Sequence, residues 1–262
     1  MDWRVLVRRS WAAFARAQGA WPTAPEARDT RVDAAVAAAG YGRDVLARLA
    51  ARLSAPGAAD RDQRLDPLRA HLRQATQTTC GSASLLVARA IVDPVYAMWL
   101  LEGYDARADR ATDGPAQVRF AVAENQVKAR TNAVLGPAGW QLPWPVTLGT
   151  PPWGAAAEMT RISGPLGPRY AARAFDPDAA VQRAAAYRAV VQAVANGWPA
   201  PVYVGDGASP RHVVLAVAAD DQALQVYEPS AGVVVTVART DLVDGGLVLA
   251  GWTTPWAVVV PA

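Results

Sequence analysis

The chain has 262 residues, 52% hydrophobic and 19% charged, a balance that excludes disorder and leaves enough apolar material for a substantial core. Its 26 basic and 23 acidic residues leave a net charge of +3, carried by scattered arginines and the single lysine Lys128. With no basic block and no interleaving of basic and aromatic residues, nucleic acid is not an expected partner.

In the first 20 residues Trp3, Val7, Trp11 and Phe14 recur at helical spacing with Arg4, Arg8, Arg9 and Arg16 around them, which predicts an amphipathic helix. A basic amphipathic helix can lie on a membrane. Four residues of core-facing stripe are the commoner role, so membrane association is not expected. The same arginines interrupt the apolar run that a secretory signal needs, and no window approaches a membrane span. The expectation is a soluble cytoplasmic protein, with export by a route lacking such a signal as the alternative. "AWPTAPEARDT" reads as a turn-rich connector, residues 31–53 carry helical pattern, and "SAPGAADRDQRLDP" breaks it. Residues 1–70 are thus expected as a helical extension docked on a core of residues 71–262.

Further helices are expected over 80–92, 94–101 and 116–131. In the last of these Glu124 and Asn125 fall mid-helix and read as surface residues. "LGPAGWQLPWPVTLGTPPWGAAAEM" is dense in Gly, Pro and Trp and reads as ordered loop, its Trp140, Trp144 and Trp153 either anchoring it or lining a cleft. Helix resumes at 152–161 and 177–196. Beyond Asn196 the texture changes to short β-branched runs, "PVYVG", "HVVLAVA", "ALQVYE", "VVVTVA" and "WAVVV", spaced by turns, the pattern of an antiparallel meander. Helices followed by strands predict an α+β fold.

The only cysteine, Cys80, opens the apolar run Leu85, Leu86, Ala88, Ile91, Val92 behind the N-cap candidates Thr78 and Thr79. One cysteine excludes an internal disulfide and, with only two histidines, a Cys/His zinc site, so no metal or cofactor is implied. In the first turn of a helix, free N–H groups and the helix dipole favour a thiolate. Gly81 beside it permits close approach of a backbone or substrate. His212 opens the strand "HVVLAVA" after a Gly/Pro loop, while the other histidine, His71, sits among arginines on the helix before Gln74 and reads as solvent-facing. If the strands at 212–218 and 223–228 form a hairpin around "ADDQ", Glu228 ends beside His212, able to accept its Nδ1–H and orient the ring. Asp206, also near His212, reads as part of a tight Gly-Asp-Gly turn. A helix-terminal thiol, a strand-borne imidazole and an orienting carboxylate together make an activated nucleophile.

Gln74, five residues, then Cys80-Gly81-Ser82 resembles the glutamine-to-nucleophile segment of papain-like cysteine peptidases, and His212 follows Cys80 by 132 residues. "RHVVLAV" and "VYEPSAG" are similar to the histidine and acid strands of the bacteriocin-processing peptidase domains of bacterial exporters. The resemblance spans 73–84 and 201–232. It implies a papain-like fold with the nucleophile helix packed on a C-terminal sheet, Cys80 as nucleophile, His212 as base and Glu228 as orienting acid. Gln74 and the Cys80 N–H would form the oxyanion hole, with Gln77 a competitor for the glutamine's place. Two positions depart from the family: Glu228 stands where Asp or Asn is usual, and Thr79 where an acidic residue is frequent. The implied activity is a thiol hydrolase acting on a peptide or amide substrate, with the Trp140, Trp144, Trp153 segment as candidate cleft. Acyl transfer or deamidation by the same triad, and a non-catalytic papain-like binding module, are the alternatives.

Overall fold

Two stretches of small and branched apolar residues, 80–102 and 200–260, supply the central helices and most of the central sheet. The computed structural model describes residues 3–55, 61–133, 135–136, 139–140 and 144–262. It begins with α1 (Trp3–Ala17), α2 (Val32–Ala38), α3 (Arg43–Leu53) and the short α4 (Arg61–Leu65). Then come α5 (Cys80–Val92), α6 (Pro94–Glu102), a small hairpin of β1 (Tyr104–Asp105) and β2 (Arg110–Ala111), and α7 (Ala116–Thr131). A second small hairpin, β3 (Leu135–Gly136) with β4 (Gly139–Trp140), precedes α8 (Pro152–Ile162), β5 (Tyr170–Ala174) and α9 (Ala180–Ala195). The chain closes with β6 (Ala200–Gly205), β7 (Pro210–Ala219), β8 (Ala223–Glu228), β9 (Val233–Ala238), α10 (Arg239–Asp244) and β10 (Thr254–Pro261).

The result is an α+β architecture around a six-stranded antiparallel sheet in the order β5-β10-β6-β7-β8-β9. Both faces of the sheet are covered. Along β7, Val213 and Leu215 join one core with residues of α5, α6, α7 and α8, while Val214 and Ala216 join another with residues of α9 and α10. Burial on both faces is why "HVVLAVA" and "WAVVV" are continuous apolar runs rather than alternating ones. The first face holds α5, whose residues Cys80 to Ala88 are all buried, as expected of a helix apolar on every side. Asp93 ends α5 and caps α6 by accepting the Tyr96 N–H at 2.9 Å, with Pro94 at the first helical position. The pair is bent by 118° there, and among the described residues no single helix is long and apolar enough to cross a membrane.

The N-terminal helices pack onto this frame. Trp11 of α1 stands edge-on to the fully buried Trp256, centroids 5.7 Å apart, and its Nε1–H donates to the Trp256 carbonyl at 2.9 Å. The stripe is therefore core-facing at Trp11, whereas Phe14 is largely exposed, and the side chain of Trp3 lies outside the described part. Val36, Val45, Leu49 and Leu53 form a satellite core with Val95 and Met98 of α6.

Four expectations need correction. Residues 31–53 form two helices, broken at Gly40, whose φ of +83° is ordinary only for glycine. The helix expected from 177 begins at Ala180. The C-terminal strand does not extend the meander past β9; it crosses the sheet to pair with β6. The far edge is β5, "YAARA", an alanine- and arginine-rich segment of low strand propensity that becomes a strand by pairing with β10 from Tyr170↔Pro261 to Ala174↔Ala257.

Candidate active site

The turn before α5 is built by threonines. The Thr79 hydroxyl accepts the Thr76 N–H at 3.0 Å and reaches the Thr76 carbonyl at 2.9 Å, so it closes a Thr76–Thr79 turn. Thr79 holds the N-cap position but makes no side-chain capping bond; only its carbonyl takes part, accepting the Ala83 N–H at 2.8 Å. The first-turn N–H groups at Cys80 thus carry no side-chain cap. One turn further on, Ser84 donates its hydroxyl to the Val213 carbonyl at 3.2 Å. Residues four apart share a helix face. This bond therefore clamps the Cys80 face of α5 to the strand position next to His212.

His212 and Glu228 meet across the expected hairpin. The β7–β8 register pairs Leu215 with Tyr227. Continued by one residue, it sets Glu228 opposite Val214 and makes His212 its diagonal neighbour, a separation that long side chains span. The His212 Nε2 lies 2.8 Å from Glu228 Oε1, both groups buried. The ring is thus held by Nε2 and not by Nδ1, contrary to the expectation, which leaves Nδ1 for Cys80. The carboxylate is further bound by the turn after it: the Ser230 N–H at 2.9 Å, the Ser230 hydroxyl at 2.7 Å and the Ala231 N–H at 2.8 Å. Burial would raise its pKa, but the bonds from His212, Ser230 and Ala231 outweigh it and hold the group at about 2. For His212, burial opposes the imidazolium, yet hydrogen bonds to Cys80 and Glu228 and their charges prevail, and its pKa is pushed up to about 9. Cys80, His212 and Glu228 therefore form one connected chain of side chains.

Gln74 is brought to the same place in a different posture. Its N–H donates to the Pro229 carbonyl at 2.8 Å, joining the nucleophile loop to the turn of Glu228. Its Nε2 donates to the Thr76 carbonyl at 2.9 Å, so one of the amide's two hydrogens is engaged within its own loop. Gln77 is exposed. Asp206 caps a turn, its Oδ1 accepting the Ala208 and Ser209 N–H groups at 2.7 and 2.9 Å. His71 is exposed, in a turn at φ +48° and not on a helix.

The thiol is closed to solvent. Cys80 is 2% exposed and His212 6%. The side chain of Thr150 lies over Gly81, where a Cβ would stand 2.6 Å from both its Cβ and its Oγ1. The Thr150 carbonyl accepts the Tyr203 hydroxyl at 3.1 Å. The tryptophan-rich segment thus reaches the site at Thr150. Trp144 and Trp153 stack edge to face at 5.2 Å, and Trp153 lines a cleft of about 580 Å³ with Phe14, Thr160, Arg169 and Tyr170, away from Cys80 and His212. The side chain of Trp140 lies outside the described part.

One residue was misread from sequence. Glu124 is fully buried, its Oε2 accepting the Ala75 N–H at 2.8 Å beneath the nucleophile loop, whereas Asn125 is exposed as expected. A signal existed: Phe120, Ala123, Glu124, Val127 and Thr131 lie on one stripe of α7.

Compared with known proteins, the chain matches no family model, no curated protein and no solved structure. The functional reading rests on the geometry of the site and on the motifs in the chain.

Proposed function

We propose that this chain is a papain-like thiol hydrolase that cleaves an amide bond through a Cys80 acyl-enzyme. The observation that carries the reading is His212 held between the Cys80 thiol and the Glu228 carboxylate. In the first step the Cys80 sulfur, its proton held on the His212 Nδ1 in an ion pair, attacks the carbonyl carbon, and the carbonyl π electrons move onto oxygen. The Cys80 N–H and the free hydrogen of Gln74 Nε2 are the donors for that oxyanion. Collapse breaks the C–N bond, and the imidazolium hands its proton to the leaving amine. Water, deprotonated by His212, then attacks the thioester and releases the acid and the thiol. Glu228 keeps the ring oriented throughout and stabilises its charged form.

The second reading, a binding module on the same fold, is favoured by the closed thiol and by the engagement of Gln74 Nε2 with Thr76. A small activated ester separates the two. With p-nitrophenyl acetate, the hydrolase gives a stoichiometric burst of nitrophenol that vanishes in Cys80→Ser and falls strongly in His212→Ala. No burst in the wild-type protein, with unchanged iodoacetamide alkylation of Cys80 in His212→Ala, would leave the binding module.

A further inference from the structure

The loop that presents Cys80 is gripped by one face of one helix. On α7, Gln117, Glu124 and Lys128 stand at i, i+7 and i+11, a single stripe. Gln117 brackets Arg73, its Oε1 accepting the Arg73 N–H at 3.0 Å and its Nε2 donating to the Arg73 carbonyl at 2.7 Å. Glu124 Oε2 accepts the Ala75 N–H at 2.8 Å. Lys128 Nζ donates to the Thr78 hydroxyl at 2.6 Å. Three successive side chains thus hold positions 73, 75 and 78, on both sides of Gln74 and up to the cap of the nucleophile helix.

Glu124 is the costly member of this set. A carboxyl on the buried stripe of a helix is retained against desolvation only by the bonds it makes. Its Oε1 has no partner among the described residues. The groups around it are the Ala75 N–H, the Thr79 hydroxyl, Tyr227 of β8, whose own hydroxyl donates to the Leu72 carbonyl at 2.7 Å, and Lys128 on its own helix, engaged with Thr78. A purely structural tie to one amide would be served by an uncharged side chain. We propose that Glu124 is a positioning residue for the candidate nucleophile, setting the Gln74–Cys80 turn so that the thiol and the oxyanion donors face one acyl carbon. This rests on the acyl-enzyme reading. Burial pushes the Glu124 carboxyl up to about 7, with the Ala75 N–H and the Thr79 hydroxyl opposing, so the group changes charge near neutral pH while it is bonded to the turn. The hydrogen bond to the Ala75 amide strengthens when its acceptor is charged.

The test is the rate of Cys80 alkylation by iodoacetamide from pH 4 to 10 in the wild-type chain, Glu124→Gln, Lys128→Met and His212→Ala. The expected wild-type profile has an inflection near pH 7 that Glu124→Gln abolishes while reactivity at low pH persists. Above that pH the Gln variant reacts about 3- to 10-fold more slowly, the equivalent of one hydrogen bond. Lys128→Met lowers the rate but keeps the inflection, because it loosens the turn without removing the titrating group. A Glu124→Gln profile superimposable on wild type, with His212→Ala clearly different, overturns the positioning role alone. Coincidence of wild type and His212→Ala overturns the acyl-enzyme reading and the positioning role with it. Should Glu124→Gln fold poorly, amide exchange at Ala75 in the wild-type chain decides: protection must change in a step between pH 6 and 8 beyond the intrinsic exchange trend, and a flat value sinks the idea.

Discussion

The His212 Nε2 and the Glu228 Oε1 stand 2.8 Å apart, and the same carboxylate takes two N–H groups and a hydroxyl from the turn 229–231. The acid therefore does two jobs: it fixes the imidazole with Nδ1 toward Cys80, and it closes the β8–β9 turn on which Gln74 rests through the Pro229 carbonyl. Removing it leaves a buried imidazole and two backbone donors unpaired. Glu228→Ala is expected to cost about 3 kcal/mol, the range for breaking a buried pair by deleting one partner. Glu228→Gln keeps an acceptor for the ring and costs less. Urea unfolding of both variants measures the difference; equal and small losses would mean that the turn is held without the acid.

Stability against pH follows from three groups. Glu228, held at about 2 against an ordinary 4.5, adds stability that is present above about 4.5 and lost as pH falls toward 2. His212, raised from 6.5 to about 9, adds stability that is complete below 6.5 and lost as pH climbs through 9. Glu124, raised from 4.5 to about 7, adds stability present below 4.5 and lost as pH rises through 7. Thermal melts across pH 2–10 should peak on the acid side of neutrality. Glu228→Gln should flatten the acid limb and Glu124→Gln the slope between 5 and 7. A wild-type maximum above pH 8 contradicts the assignment.

Gly81 and Thr150 test the wall of the site. A methyl at position 81 would stand 2.6 Å from the Thr150 Cβ and Oγ1, too close for any real contact. Gly81→Ala should destabilise by about 1–3 kcal/mol, the usual cost of overpacking. It should also displace the 144–152 segment and raise the alkylation rate of Cys80. Thr150→Gly in the same chain should recover most of the stability, and failure to recover it would place the strain elsewhere.

Trp11 carries the docking of α1. Half-buried against Trp256 and bonded to its carbonyl, it should contribute about 2 kcal/mol, roughly half the cost of truncating a fully buried aromatic. Trp11→Ala should leave the sheet intact while protease cuts between α1 and α2 appear early. With Trp11 engaged in the core, wild-type protein should not pellet with anionic vesicles, whereas the variant has a freed basic helix to offer. Vesicle binding by the wild-type chain, abolished by removing residues 3–17, would overturn this placement.

Much of the site was legible locally. Cys80 at a helix start and Glu228 at the end of the strand after His212 both follow from short-range pattern, because the hairpin closes over four residues and leaves few registers open. Glu124 was not, because one carboxyl in a helical stripe reads the same whether that face meets water or a loop. The strand β5 was hidden for a related reason, since Ala and Arg carry no strand signal and its only argument is the open edge of β10.

By itself the sequence determined most of the helices and the strands of the meander, and that a thiol, an imidazole and a carboxylate each sit at the end of an element. Tertiary structure alone decided that α5 lies against β7, that the ring meets its acid through Nε2, that Thr150 packs over Gly81 beside the buried thiol, and that α7 holds the loop in front of it. The physical reason is that periodicity states how a segment wants to be buried but not against what. The partner is chosen by packing two faces of one sheet at once, a condition that no local stretch contains.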